Sequence, residues 1–161
     1  RNNFIVEMVS ALQGNTLVLY QLVEKHGSTL YRMMSDKMPN RTINFIHGGI
    51  KANEREKVRN ETETGDSNII VASYGTYSTG VNIRNLHNIV FASPSKSRIR
   101  NLQSIGRVLR KSKTKIKANL FDISDKLTYL SHQNYTWKHL LERMKIYQSE
   151  RFDFTVKYFN L

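Results

Sequence analysis

Cysteine is absent from the 161 residues of this sequence. Its absence excludes disulfide bonds, thiolate metal sites and cysteine nucleophiles. The five histidines are scattered without metal-ligand spacing, so we expect no bound metal ion held by histidine. No apolar run approaches the roughly 18 residues that would cross a bilayer, and the first residues do not have the pattern of a signal peptide. We therefore expect a cytoplasmic protein with no membrane role.

Negative charge is also scarce relative to positive charge. The chain has 25 Lys and Arg residues against 13 Asp and Glu residues, a formal net charge of +12 and a pI near 10.0. Such a surface attracts polyanions, and a nucleic-acid backbone is the usual partner for an excess of this size. A basic surface that serves only solubility, or a fragment whose acidic half is absent, would have the same charge. Charge alone therefore does not decide the function.

Short apolar segments with strand character alternate with segments of helical periodicity over most of the chain. The first predicted strand, Thr16–Tyr20, is apolar throughout, as in a strand buried on both faces. Further strands are predicted at 42–46, 68–72, 88–92 and 118–123. Helices are predicted before and between them, with Ser28 as one N-cap, Asn53 and Glu56 as a capping box, and a basic helix over 97–109. The pattern predicts an α/β fold with a mainly parallel central sheet.

The pattern changes after Asp125. One helical face is predicted from the spacing of Trp137, Leu140, Leu141, Met144 and Tyr147. An alternation typical of a strand follows at Phe152, Phe154, Val156 and Tyr158. We therefore predict a C-terminal helix and strand packed on the core.

A polar face on the predicted basic helix is the most specific feature of the sequence. Gln103, Arg107 and Arg110 are spaced so that all three project from one side of a helix, and Gly106 leaves room for close approach. Two guanidinium groups can bind a γ-phosphate and neutralise the charge that develops in phosphoryl transfer. A glutamine can bind an attacking water. An exposed basic helix with no ligand would have the same residues.

Two loops predicted to follow strands could contact phosphates. Residues 73–83 combine small hydroxyl side chains, among them Ser73 and Thr76, with glycines, and such a loop offers hydroxyls and amides to a phosphate without reading the base. An ordinary glycine-rich turn has the same composition. In the second loop, His47 precedes Gly48 and Gly49; we expect the histidine to have a structural role, and the glycine amides are weaker candidates for a phosphate contact.

The order of these segments resembles the second motor domain of superfamily 2 helicases. An apolar strand, an H-G-G loop, a strand ending in Ala-Ser with G-x-N shortly after, and Q-x-x-G-R-x-x-R follow one another within residues 16–125. Residues 80–86 and 93–97 and the arginine helix are similar to a bacteriophage recombination helicase of this superfamily. The resemblance implies a RecA-like three-layer domain at 16–125. Residues 1–15 would end a linker helix from a preceding domain, and 126–161 would form a C-terminal helix and strand extension packed on the domain.

The resemblance also implies roles for individual residues. Ser73 matches a residue that holds a backbone phosphate of the tracked strand, with Thr76, Gly48 and Gly49 as further nucleic-acid contacts. Nucleotide contacts are implied for Gly80 and Asn82, and catalytic roles for Gln103, Arg107 and Arg110, with the two arginines facing the γ-phosphate. Many relatives have Asp at the position of Asn82, so a ribose contact there is in doubt. Many also have Gly at the position of Leu109, which leaves the arginine spacing unchanged.

Two elements of an ATPase are missing from the sequence. It has no G-x-x-x-x-G-K-[ST] loop to hold phosphates and no Asp-Glu pair after a strand to hold Mg²⁺. We therefore expect ATP and Mg²⁺ to be bound mainly by an N-terminal RecA-like domain of the same protein, and the chain to be inactive alone. The expected whole is a monomeric ATP-dependent DNA helicase that unwinds or branch-migrates branched DNA in recombination, repair and replication-fork processing, in the host cytoplasm if a phage encodes it.

Two other functions fit the same motifs. A nucleic-acid-binding module without catalytic activity could use the fold as a scaffold. An RNA helicase motor domain would share every motif, because contacts to the backbone seldom distinguish the two sugars. The sequence itself does not choose between DNA and RNA.

Overall fold

Helices and strands alternate along the chain. The computed structural model describes residues 1–78, 83–93, 118–129 and 132–160. The helices are α1 (Asn2–Ser10), α2 (Ser28–Lys37), α3 (Ala52–Thr64), α4 (Tyr74–Ser78) and α5 (Tyr135–Ser149), with a π-helical turn at Val23–Gly27. The strands are β1 (Thr16–Tyr20), β2 (Ile43–Ile46), β3 (Ile69–Ser73), β4 (Asn88–Phe91), β5 (Asn119–Asp122), β6 (Thr128–Tyr129) and β7 (His132–Gln133).

Five of the strands form one parallel sheet in the order β2-β3-β1-β4-β5. The prediction for β1 is confirmed residue for residue, and the other four predicted strands agree with the structure to within one residue at each end. Strands β6 and β7 form a separate antiparallel pair. The predicted parallel α/β sheet is therefore confirmed.

Helices cover both faces of the sheet, which gives three layers. On one face, Val18 of β1 belongs to a buried cluster with Ile5 of α1 and Leu30 of α2. On the other face, Leu19 packs in a cluster with Tyr77 of α4 and Tyr147 of α5. Burial on both faces explains why β1 is apolar at 17–19, and all five of its residues are buried. Within the described residues, no helix has the length and apolar character needed to span a membrane.

Two predicted helix caps are wrong. Ser28 does not cap α2, because the π-helical turn runs directly into that helix and the Ser28 hydroxyl donates to the carbonyl of Glu24 instead. Asn53 lies inside α3, which begins at Ala52, and its side chain accepts from the amide of Glu54. Glu56 pairs with Arg59 rather than closing a capping box. The predicted basic helix at 97–109 lies outside the described residues.

The predicted C-terminal helix is confirmed as α5, and the predicted strand after it is wrong. Trp137 and Tyr147 are buried as expected, but Leu141 is 38% exposed and Arg143 is fully buried in the helical face predicted to be apolar. Residues 152–160 pair with no described strand. Aromatic contacts hold them, such as that between the rings of Phe154 and Tyr147, and the Phe152 amide donates to the carbonyl of Tyr147.

A buried asparagine network holds the amino-terminal edge of the sheet. The side-chain amide of Asn15 donates to the carbonyls of Thr62, Gly65 and Asn85, at 2.7–2.8 Å, and its oxygen accepts from the Asn68 amide. Asn15 is completely buried. The network joins the start of β1 to the end of α3 and to the segment before β4, so it fixes the sheet from the edge opposite the candidate site.

Candidate functional site

The ends of the parallel strands bring the described nucleic-acid candidates to one edge of the sheet. Tyr20 of β1 and Ser73 of β3 are paired in register, and Ile46 at the end of β2 pairs with Ala72. The turn that begins at His47 therefore follows its strand beside Ser73. This carboxyl edge is where α/β proteins usually bind ligands.

Ser73 and Thr76 lie in contact at this edge. The Ser73 hydroxyl lies 2.8 Å from the Thr76 hydroxyl and accepts from the Thr76 amide at 3.3 Å. Both residues are buried, and Tyr74–Ser78 forms a short helix where the sequence predicted a loop. The reason is local, because Ser73 caps the first turn with its side chain. Gly80 and Asn82, predicted to contact a nucleotide, lie outside the described residues.

The H-G-G segment forms a turn held by its own histidine. Nδ1 of His47 accepts from the Gly49 amide at 3.2 Å, and the His47 carbonyl accepts from the amide of Ile50. The imidazole also packs against the ring of Phe45, with 5.2 Å between centroids. These contacts bear out the expected structural role of His47. Gly48 and Gly49 are exposed beside the end of β3, and beyond its chain neighbours no atom of the described residues lies within 4 Å of where a Gly48 side chain would begin.

Gln103, Arg107 and Arg110 lie outside the described residues. In the chain they belong to residues 94–117, which follow the end of β4 directly. Nine of the 25 Lys and Arg residues fall in this stretch, which has no Asp or Glu. The chain therefore enters its most basic segment from the carboxyl edge of the sheet.

A polar cluster that sequence reasoning missed lies where β4 and β5 end. The Arg1 guanidinium donates to the carbonyl of Ala92 at 2.6 Å and to that of Ile123, and forms an ion pair with Asp125. Close by, Nδ1 of His26 lies 2.5 Å from the Ser93 hydroxyl. Burial, with a smaller contribution from the charge of Arg1, holds the pKa of His26 below its usual value. No local pattern marks these residues, because their contacts span 67 or more positions.

A buried ion pair below the same edge was also missed. Arg143 of α5 donates from Nε and Nη2 to both carboxylate oxygens of Asp122, at 2.7 and 2.8 Å. The Tyr147 hydroxyl donates to the same carboxylate at 2.7 Å. Burial and the charge of Asp122 raise the pKa of Tyr147. Burial by itself would lower the pKa of Arg143, but the hydrogen bond with Asp122 and its charge raise it above the ordinary value. The one available sequence signal was an arginine interrupting an apolar helical face.

Among the described ranges, no cluster of three His, Asp or Glu side chains is arranged to hold a metal ion.

Comparison with known proteins gives matches to helicases. Residues 1–112 match the family described as Helicase conserved C-terminal domain. The ATP-dependent DNA helicase uvsW of Enterobacteria phage T4 is 33% identical over the whole chain, and the chain spans about a third (34%) of that protein's length.

Solved structures give the same result. The crystal structure of T4 UvsW aligns with a TM-score of 0.77 at 30% identity, over 97% of this chain and 34% of that chain. Domain 2 of the DEAD-box helicase Mss116p, bound to an RNA duplex, shares the fold with a TM-score of 0.62 at 19% identity, over 76% of this chain and 50% of that chain. The predicted resemblance to superfamily 2 helicases and the RecA-like fold are confirmed. The chain belongs to the helicase conserved C-terminal domain family.

Proposed function

We propose that this chain is the C-terminal motor domain of an ATP-dependent DNA helicase that unwinds or branch-migrates branched DNA in recombination, repair and replication-fork processing. One observation carries the proposal: a chain similar over its whole length to a phage DNA helicase brings its described nucleic-acid candidates, Ser73 and the glycine turn after β2, to one edge of a parallel sheet. Residues 16–125 would form the motor domain, 1–15 the end of a linker helix and 126–161 an extension packed on it.

Nucleic-acid contacts are assigned to Ser73, Thr76, Gly48 and Gly49. The Ser73 and Thr76 hydroxyls lie 2.8 Å apart at the carboxyl edge of the sheet, where a backbone phosphate oxygen would accept from them in place of their mutual hydrogen bond. The exposed glycine turn lies beside them and lets a phosphate approach the backbone closely. These groups bind phosphate and not bases, as a protein that moves along a strand requires.

The nucleotide contacts are assigned to Gly80, Asn82, Gln103, Arg107 and Arg110. The chemistry of the segment around the arginines fits a triphosphate, since residues 94–117 combine nine cationic side chains with no carboxylate. Arg107 and Arg110 would stabilise the charge on the γ-phosphate, and Gln103 would orient water. ATP and Mg²⁺ would be held mainly by an N-terminal RecA-like domain of the same polypeptide, in a monomeric protein.

The test is the ATP hydrolysis rate of the full-length protein with branched DNA, single-stranded DNA and RNA at equal nucleotide concentration. We expect the largest stimulation with branched DNA. Larger stimulation by RNA would support the RNA helicase alternative, which shares the backbone contacts. No hydrolysis with any of the three would overturn the motor function and leave a nucleic-acid-binding module.

A further inference from the structure

We propose that His26, Ser93 and Arg1 are positioning residues that set the direction in which the chain leaves β4 toward the arginines at 107 and 110. The inference rests on the proposed motor function. It adds three residues to the ATPase machinery, none of which would touch ATP.

The π-helical turn after β1 brings His26 to the end of β4. The turn is closed by a hydrogen bond of 2.9 Å from the Gly27 amide to the carbonyl of Leu22, five residues earlier. A side chain at Gly27 would begin 2.4 Å from the buried ring of Tyr20, so only glycine lets this turn pack on β1. Such turns are rare within helices and frequent at functional sites. Here the turn places Nδ1 of His26 2.5 Å from the Ser93 hydroxyl.

Arg1 fixes the backbone next to that contact. Its guanidinium binds the carbonyl of Ala92, the residue before Ser93, and the carbonyl of Ile123 at the end of the neighbouring strand. Its ion pair with Asp125 orients the group. The Ala92 and Ser93 amides also donate to the carbonyl of Leu19 in β1, at 3.0 and 3.3 Å. The last two residues before position 94 are therefore held by Arg1 at the start of α1, by the π-helical turn and by β1.

These contacts come in addition to the backbone pairing of the strand. Strands β4 and β5 are already joined by backbone hydrogen bonds up to Phe91 and Asp122. The additional contacts act on the residues that lead into 94–117, the stretch that carries Gln103, Arg107 and Arg110. Because phosphoryl transfer depends on placing cationic groups accurately, a displacement of about 1 Å can cost roughly 100-fold in rate.

The experiment compares Ser93→Ala, His26→Ala and His26→Asn in the full-length protein, using nucleic-acid-stimulated ATP hydrolysis. Removing either partner should lower kcat by roughly tenfold or more, within the range that misplacement gives, and leave the KM for ATP nearly unchanged. Asparagine retains a polar atom near the position of Nδ1, so His26→Asn should restore most of the rate. Ser93→Ala removes a single oxygen, so it keeps the test valid if His26→Ala folds poorly.

His87→Ala is the matched control. His87 accepts from the amide of Asn15 at 3.1 Å at the opposite edge of the sheet, so its loss should lower stability and leave kcat largely unchanged. Arg110→Ala, assayed beside these variants, separates the two proposals. If Arg110→Ala abolishes turnover while Ser93→Ala and His26→Ala keep the wild-type kcat, the positioning role is overturned and the motor function stands. If Arg110→Ala turns over normally, the proposed function itself is wrong.

Discussion

Replacing Arg143 with Met should destabilise the fold strongly. The Asp122 carboxylate would stay buried, and of the hydrogen bonds described here it would keep the one from the Tyr147 hydroxyl. The side chains of Arg143 and Asp122 are 1% and 9% exposed, and two hydrogen bonds join them. Removing one partner of a buried ion pair typically costs about 3–5 kcal/mol. For a domain of this size, each kcal/mol lowers the melting temperature by about 2–4 °C, so we expect a decrease of roughly 6–20 °C.

Thermal and urea unfolding followed by circular dichroism would measure this effect. Lys145→Met is the matched control, since Lys145 lies on the same helix and pairs with Glu142 where both side chains are more than 60% exposed. Exposed pairs contribute about 0–1 kcal/mol, so that variant should unfold close to the wild type. Equal, small shifts for both variants would refute the reasoning, because the buried pair would then contribute no more than the exposed one.

Three further predictions concern pH, packing at Gly27 and the effect of salt on binding. Burial and the charge of Arg1 lower the pKa of His26 from its ordinary value of 6.5, so the neutral ring contributes stability above that pH, and the contribution is lost as the pH falls below it. The melting temperature should therefore decrease below pH 6.5, and it should decrease less in His26→Asn. Gly27→Ala should lower the free energy of unfolding in urea by about 1–3 kcal/mol, because the added methyl group would overpack against Tyr20. Gly75→Ala should be tolerated, because its added Cβ would meet no atom of the described residues within 4 Å. The affinity of the chain for single-stranded DNA, measured by fluorescence anisotropy, should fall roughly tenfold or more between low and physiological salt; an affinity independent of salt would contradict a phosphate interface.

The elements that could be predicted from sequence are those specified by local pattern. Residues 17–19 form an apolar run because both faces of this strand are covered, and that pattern is visible without any tertiary information. The predicted caps at Ser28 and Asn53 were wrong for different reasons. A π-helical turn runs directly into the helix at Ser28, and the other helix begins one residue before Asn53, so the backbone amides that need a cap are not those that the sequence suggested. The predicted strand after α5 failed because alternation alone does not supply a neighbouring strand to pair with.

The polar clusters could not be predicted, because each joins residues far apart in the chain. Arg143 and Asp122 are 21 positions apart, and His26 and Ser93 are 67 positions apart. A lone charged residue in such a sequence is most often exposed, so burial became evident only from the packing of α5 on the sheet. The order of the helicase-like motifs was more informative, since it correctly predicted the family before any contact was known.

ATP turnover by full-length Arg110→Ala, measured with branched DNA beside Arg32→Ala, tests the central proposal most directly. Arg32 is exposed on α2 and is assigned no contact with nucleotide or nucleic acid, so its variant should hydrolyse ATP at the wild-type rate. Loss of an arginine that contacts the γ-phosphate typically costs about 10³-fold or more, so we expect Arg110→Ala to lose nearly all turnover while ATP binding is largely retained. Undiminished turnover in Arg110→Ala would contradict the proposed contact between this domain and the γ-phosphate.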